Sequence, residues 1–99
     1  MILGQVVGNV VATQKDEGLE GFKMLVVRQV GFDLKPRESY VVAIDSVGAG
    51  LGEIVVCVAG SSARMTSTTR EKPVDTAVIA IVDYLDLNGK IIYRKEEEV

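Results

Sequence analysis

The glycine-dense stretch Gly48-Ala49-Gly50-Leu51-Gly52 is the first place to look for chemistry. A phosphate-cradling loop needs G-x-x-x-x-G-K-[ST], and a dinucleotide loop needs G-x-G-x-x-G opening a helix. Here the spacing is G-x-G-x-G, no lysine follows, and Glu53 to Ala59 reads as a strand. Cofactor binding is therefore disfavoured against two other readings. One is a tight turn requiring positive φ or close backbone approach. The other is a loop packed against copies of itself around a symmetry axis, where larger side chains would collide. Ser61-Ser62 could supply a nucleophile only beside an activating base. The chain has no histidine, and the nearest lysine is Lys72. A hydrogen-bonded, serine-capped turn is the better account. Arg64 and Asp83 are either solvated edge charges or partners for polar groups at a subunit contact, where arginine suits bidentate pairing. Cys57 lies inside a strand and reads as a small apolar filler.

The composition narrows the classes further. Ninety-nine residues make one domain, yet 47% of them are apolar, and mean hydropathy is +0.25. Charges or glycines interrupt every apolar run, so none approaches the ~20 residues of a membrane-spanning helix. The surplus apolar surface points to a partner chain. A net charge of −3 and a pI near 4.9 do not suit nucleic-acid binding. One cysteine fits a reducing cytosol, and Met1-Ile2-Leu3-Gly4-Gln5 lacks the basic and apolar regions of a signal peptide. A cytoplasmic, non-catalytic, oligomer-forming domain is expected, with no cofactor, no metal and no dedicated small-molecule substrate.

The elements that must position these residues are strands. Ile2 to Thr13 is rich in β-branched residues, and its glycines suggest bulges. Phe22 to Val30 follows, with Phe22, Met24, Val26 and Val30 on one face and Leu25 and Val27 on the other. Gly31 to Glu38 reads as an exposed loop, Ser39 to Ile44 as a third strand and Glu53 to Ala59 as a fourth. Gly60 to Arg64 opens a short helical turn, and Met65 to Lys72 reads as a mobile polar loop. Thr76 to Leu87 forms one long fifth strand, apolar on both faces over Ala77 to Val82, so its outer face is expected to meet another subunit. Asn88-Gly89 predicts a hairpin with positive φ at both residues, returning through Ile91 to Tyr93. Residues 95–99 read as a frayed acidic tail. The sum is an all-β fold, a small OB-like Greek-key barrel with a C-terminal hairpin. An OB module binding a small ligand or single-stranded nucleic acid is the alternative. The middle strands, however, offer only Phe22 and Tyr40 for stacking, and basic residues do not cluster.

The order of motifs carries a resemblance. Asp45-Ser46-Val47-Gly48-Ala49-Gly50, then Gly52-Glu53, then Gly60-Ser61-Ser62-Ala63-Arg64 resembles the EutN/CcmL family of pentameric shell proteins of bacterial microcompartments. Pro73-Val74-Asp75 and Ala77 to Asp83 are similar to its late strand, and Gly8-x-Val10-x-x-Thr13-x-Lys15 and Leu19-x-Gly21-x-Lys23-x-Leu25 to its first hairpin. The resemblance spans residues 1–94 as a single domain. It implies a cyclic homopentamer capping the vertices of a polyhedral shell, beside hexameric shell proteins, in a carboxysome or a catabolic metabolosome. It further implies that Gly48, Ala49, Gly50 and Gly52 approach the five-fold axis and that Asp45 and Glu53 orient that loop through backbone amides. Ser61, Ser62, Ala63, Arg64 and Asp83 are then assigned to the subunit interface.

Overall fold

The structure, a computed structural model, describes residues 1–97. Seven strands form: β1 (Ile2–Val10), β2 (Met24–Val30), β3 (Pro36–Asp45), β4 (Ile54–Ala59), β5 (Thr76–Ile81), β6 (Tyr84–Leu87) and β7 (Lys90–Arg94). The first five close into a barrel in the order β1-β2-β3-β5-β4. Every neighbour is antiparallel except β3 and β5, which run parallel through Ile44 opposite Ala77 and Asp45 opposite Val78. This is the OB-like Greek-key barrel that the strand pattern predicts. The only helical segments among the described residues are single 3-10 turns at Glu17–Leu19, Gly60–Arg64 and Lys95–Glu97.

Alternation along each strand fills the barrel. Val6, Leu25, Val27, Ala43, Val55, Cys57 and Val78 form a buried cluster inside it. The barrel is narrow where β1 meets β2. A Cβ on Gly4 would collide with the Val27 side chain and come within 3.1 Å of the Arg28 carbonyl, so only glycine lets the two strands approach there. The bulge expected from the glycines of β1 lies between Val6 and Gly8. A second register shift, between Arg28 and Val30, turns Val30 into the buried set with Leu25 and Val27 rather than leaving it with Met24 and Val26.

A second cluster sits against the barrel's flank: Ile44, Val58, Ala63, Val74 and Ala77, with Leu19, Phe22, Met24 and Ile79 packed on it. It explains in part why β5 is apolar on both faces. Within the protomer, the Gly60–Arg64 turn and the Val74 segment cover part of β5, burying Ala77, while Thr76, Ile79, Ala80 and Ile81 stay half-buried. The Met65–Lys72 loop is mostly exposed, as its polar sequence predicts, but it is pinned at its centre. Thr69 is 0% exposed, donating from Oγ1 to the Ala63 carbonyl at 2.6 Å and lying 2.6 Å from Thr66 Oγ1.

Boundaries differ from the sequence pattern in places. β1 ends at Val10, not Thr13, and β3 starts at Pro36, not Ser39. A proline without an N–H is tolerated at a strand's first residue. The long fifth strand is in fact two. Val82 makes the last barrel bond, donating to the Ile54 carbonyl at 2.8 Å, and β6 then leaves to pair with β7. The Gly60–Arg64 turn has Ala59, not a serine, at its N-cap position and no side-chain cap. Its Gly60 N–H is instead held by the Asp75 carbonyl at 2.7 Å. Asn88 (φ 53°) and Gly89 (φ 77°) form the predicted turn of the C-terminal hairpin. The residues read as an acidic tail begin with the ordered Lys95–Glu97 turn, and its last two positions lie outside the described residues.

Candidate functional site

The Asp45–Glu53 loop joins β3 to β4 and is held at each stage. Asp45 ends β3, where its Oδ1 accepts the N–H groups of Val47 (3.1 Å) and Gly48 (3.0 Å). Ser46 Oγ donates to the Val78 carbonyl at 2.6 Å, tying the same end to β5. Gly48 (φ 81°) and Gly52 (φ 86°) occupy left-handed conformations that strain any residue with a Cβ. Between them Ala49 turns fully inward, 0% exposed, and joins the barrel core. Its carbonyl accepts from Lys23 Nζ at 3.1 Å. The Gly50 N–H donates to Glu53 Oε1 at 2.6 Å. Gly52 then enters a ladder with β1, donating to the Val6 carbonyl at 2.8 Å, while Gln5 Nε2 donates to the Gly52 carbonyl at 3.1 Å. The loop thus presents backbone and the exposed side chains of Val47 and Leu51, the latter 77% exposed.

Glu53 links this loop to the far end of the chain. Its second oxygen, Oε2, lies 2.6 Å from Lys95 Nζ. The Lys95 hydrogen bond, then the Gly50 amide, hold the Glu53 carboxyl below the ordinary carboxylate range, against a smaller opposing effect of burial. Lys95 is correspondingly raised, chiefly by its hydrogen bond to Glu53. Lys95 did not stand out in the sequence, and Lys23 entered only through the first-hairpin motif. They lie 42 and 26 positions from their partners, Glu53 and Ala49, with nothing local to signal the contacts.

The remaining predicted residues are spread over the surface. Ser61 and Ser62 are exposed on the Gly60–Arg64 turn. Ala63 faces the flank cluster and is fully buried within its own protomer. Arg64 Nη1 donates to the Val74 carbonyl at 3.0 Å. Asp83 lies exposed at the break between β5 and β6, its carbonyl accepting the Lys95 N–H at 2.8 Å. The fold brings Asp83 and Glu53 together through Lys95. Ser61 to Arg64 pack on a different side, against Val74 and β5. Cys57 is buried, and desolvation pushes its thiol up to about 11, as suits an inert filler.

Among the described residues no group of three or more His, Cys, Asp or Glu side chains could hold a metal. Among the same residues no helix is long and apolar enough to cross a membrane. Exposed apolar groups are instead plentiful, on the outer face of β1 to β3 (Val7, Tyr40, Val42) and on the hairpin (Tyr84, Leu87, Ile91). A groove of about 660 Å³ opens where hairpin and barrel meet, lined by Leu3, Phe32, Val56 and Leu85 among others. The most exposed apolar groups therefore sit on β1 to β3 and on the hairpin, beside a half-buried β5.

Such a barrel, with a constrained glycine loop and unpaired apolar faces, has close counterparts. The family model described as "Ethanolamine utilisation protein EutN/carboxysome" matches residues 1–83. The bacterial microcompartment shell vertex protein GrpN of Rhodospirillum rubrum is 46% identical over 86 residues, 87% of this chain and 97% of its own. The shell vertex protein EutN of Salmonella typhimurium is 42% identical over 95 residues, 96% of each chain. The structure of Gloeobacter violaceus CcmL superposes with a TM-score of 0.93 at 38% identity, covering 97% of this chain and 99% of that one. The GrpN structure, of a pentameric microcompartment shell protein, gives 0.81 at 46% identity over 88% of this chain and 99% of its own. None of these relatives supports an OB-type ligand- or nucleic-acid-binding role. By fold, by the family model over residues 1–83 and by similarity along nearly its whole length, the chain belongs to the EutN/CcmL family.

Proposed function

We propose that this chain is a structural shell protein of a bacterial microcompartment, forming homopentamers that cap the vertices of the polyhedral shell and let it close. The observation that carries this is the near full-length similarity to proteins named as shell vertex proteins, one of them pentameric in its solved structure. Apolar groups exposed on separate sides of one protomer support it as well. A cyclic ring uses a heterologous contact, in which one surface of each subunit meets a different surface of the next.

In this reading Gly48, Ala49, Gly50 and Gly52 approach the five-fold axis with their backbone, and Asp45 and Glu53 fix the loop's shape before assembly. Ser61, Ser62, Arg64 and Asp83 face neighbouring subunits, while Ala63 locks its turn onto the protomer's own flank. The ring sits among hexameric shell proteins in a cytoplasmic compartment and carries no catalytic step, nucleic acid or cofactor. Sedimentation or light scattering tests it. Five chains of 10.7 kDa give a particle of about 54 kDa, a closed cyclic assembly. A stable monomer at micromolar concentration would overturn the proposal.

A further inference from the structure

We infer that Lys95 is a positioning residue for the Gly48–Gly52 loop, acting through Glu53, so that the C-terminal turn is the loop's outer anchor. The Glu53 carboxylate is a two-ended connector. Oε1 takes the Gly50 N–H at 2.6 Å and Oε2 takes Lys95 Nζ at 2.6 Å. Lys95 is itself fixed, its N–H donating to the Asp83 carbonyl at 2.8 Å where the chain leaves the barrel. A continuous series of hydrogen bonds thus runs from the root of the hairpin to the middle of the loop.

The geometry gives Glu53 a role that a lone carboxylate would fill poorly. A glutamate has three rotatable side-chain bonds, and freezing them opposes a hydrogen bond to a single amide. The ammonium on the opposite oxygen holds the carboxylate in the one orientation that reaches Gly50, and charge-assisted bonds at both ends make that orientation the favoured one. The loop's first half is held separately. Asp45 accepts from Val47 and Gly48, and Lys23 reaches the Ala49 carbonyl. Withdrawing Lys95 therefore loosens Gly50 selectively. If the loop surrounds a five-fold axis, which rests on the function proposed above, each C-terminal turn supports one fifth of the opening's rim from outside.

The test uses the full chain in its native assembly and reads individual amide hydrogen-exchange rates by NMR. Lys95→Met keeps the stem and removes the charge. It is expected to speed exchange of the Gly50 amide about two- to fivefold, the range that an exposed ion pair supports. Val47 and Gly48 keep their rates, and Lys95→Arg restores most of the protection. Glu53→Gln retains an acceptor oxygen but loses the charge attraction, and speeds Gly50 to a similar extent. Unchanged Gly50 exchange in Lys95→Met would overturn the inference. So would equal acceleration at Val47 and Gly48, which marks general destabilisation. Particle mass, measured on the same samples, reports on the pentamer independently. A monomeric parent protein removes the axial consequence and leaves the exchange result to decide the anchor.

Discussion

The Asp45–Glu53 loop and the Gly60–Lys72 segment are both rich in small or hydroxylated residues, and their centres are held by different means. Both are glycine-, serine- or threonine-rich connections around the barrel. In the first, two carboxylates and two lysines supply the restraints on half-buried backbone. In the second, the centre is neutral. Thr69 is sealed from solvent, bonded to the Ala63 carbonyl and to Thr66, whose own Oγ1 accepts the Thr69 N–H at 3.0 Å. Burying a charge is costly, whereas a hydroxyl with partners is not. The charged restraints accordingly stand at the rim, where water still reaches them, and the hydroxyls lie beneath the flank cluster. The contrast predicts one connection whose restraint weakens on acidification and another whose buried restraint does not titrate.

The strongest blow to this contrast falls on the neutral side. Thr69→Val keeps the volume but leaves the Ala63 carbonyl and the Thr66 hydroxyl without their buried partner, a cost of about 1–3 kcal/mol. A denaturant midpoint at fixed protein concentration should fall by the same amount at pH 5 and pH 8. A pH-dependent loss would show the segment is not neutrally held. Next comes Gly48→Ala, which forces a Cβ into φ 81° and should cost about 1 kcal/mol. Open space around the site within the protomer confines the protomer's own penalty to the backbone. A neutral effect would mean that the loop changes conformation.

The smallest effect is the most diagnostic. Glu53 titrates below its ordinary value, so its stabilisation is present above about pH 4.3 and disappears as pH falls through the lowered value. Lys95 is raised by the same bond, so while Glu53 is ionised its share persists up to about pH 10.4 and disappears as pH rises further. Protection of the Gly50 amide, corrected for intrinsic exchange, should therefore be flat between those limits and decline on acidification. Protection of the Thr69 amide should not follow it. Parallel behaviour of the two would erase the distinction.

Local pattern reached the barrel because β-branched runs, the Asn88-Gly89 turn and the spaced glycines are local statements. It failed wherever a neighbour remote in sequence decides. Tyr84 to Leu87 continues the alternation of β5, so nothing near Asp83 announces that the barrel has ended at Val82. Threonines 66, 68 and 69 read as polar surface, although one of them is buried. Nothing near β5 signals that the Gly60–Arg64 turn, 12 or more residues away, packs over part of one of its two apolar faces. Glu53 could be placed at the loop's end, but its lysine lay in a segment that reads as tail.

The parallel pairing of β3 with β5 has a consequence for synthesis. While the chain is being made, β1 to β4 can pair as soon as Ala59 has emerged, but the barrel stays unsealed until Val78 does. Roughly 20 residues at ~5–20 per second leave that interval about 1–4 s long. During it the free edges of β3 and β4 offer unpaired N–H and C=O groups flanked by valines, the configuration most prone to intermolecular strand addition. The hazardous species is therefore the chain halted before Thr76, and the arrival of β5 makes a protomer fit to meet its neighbours by its outer surfaces rather than by its edges.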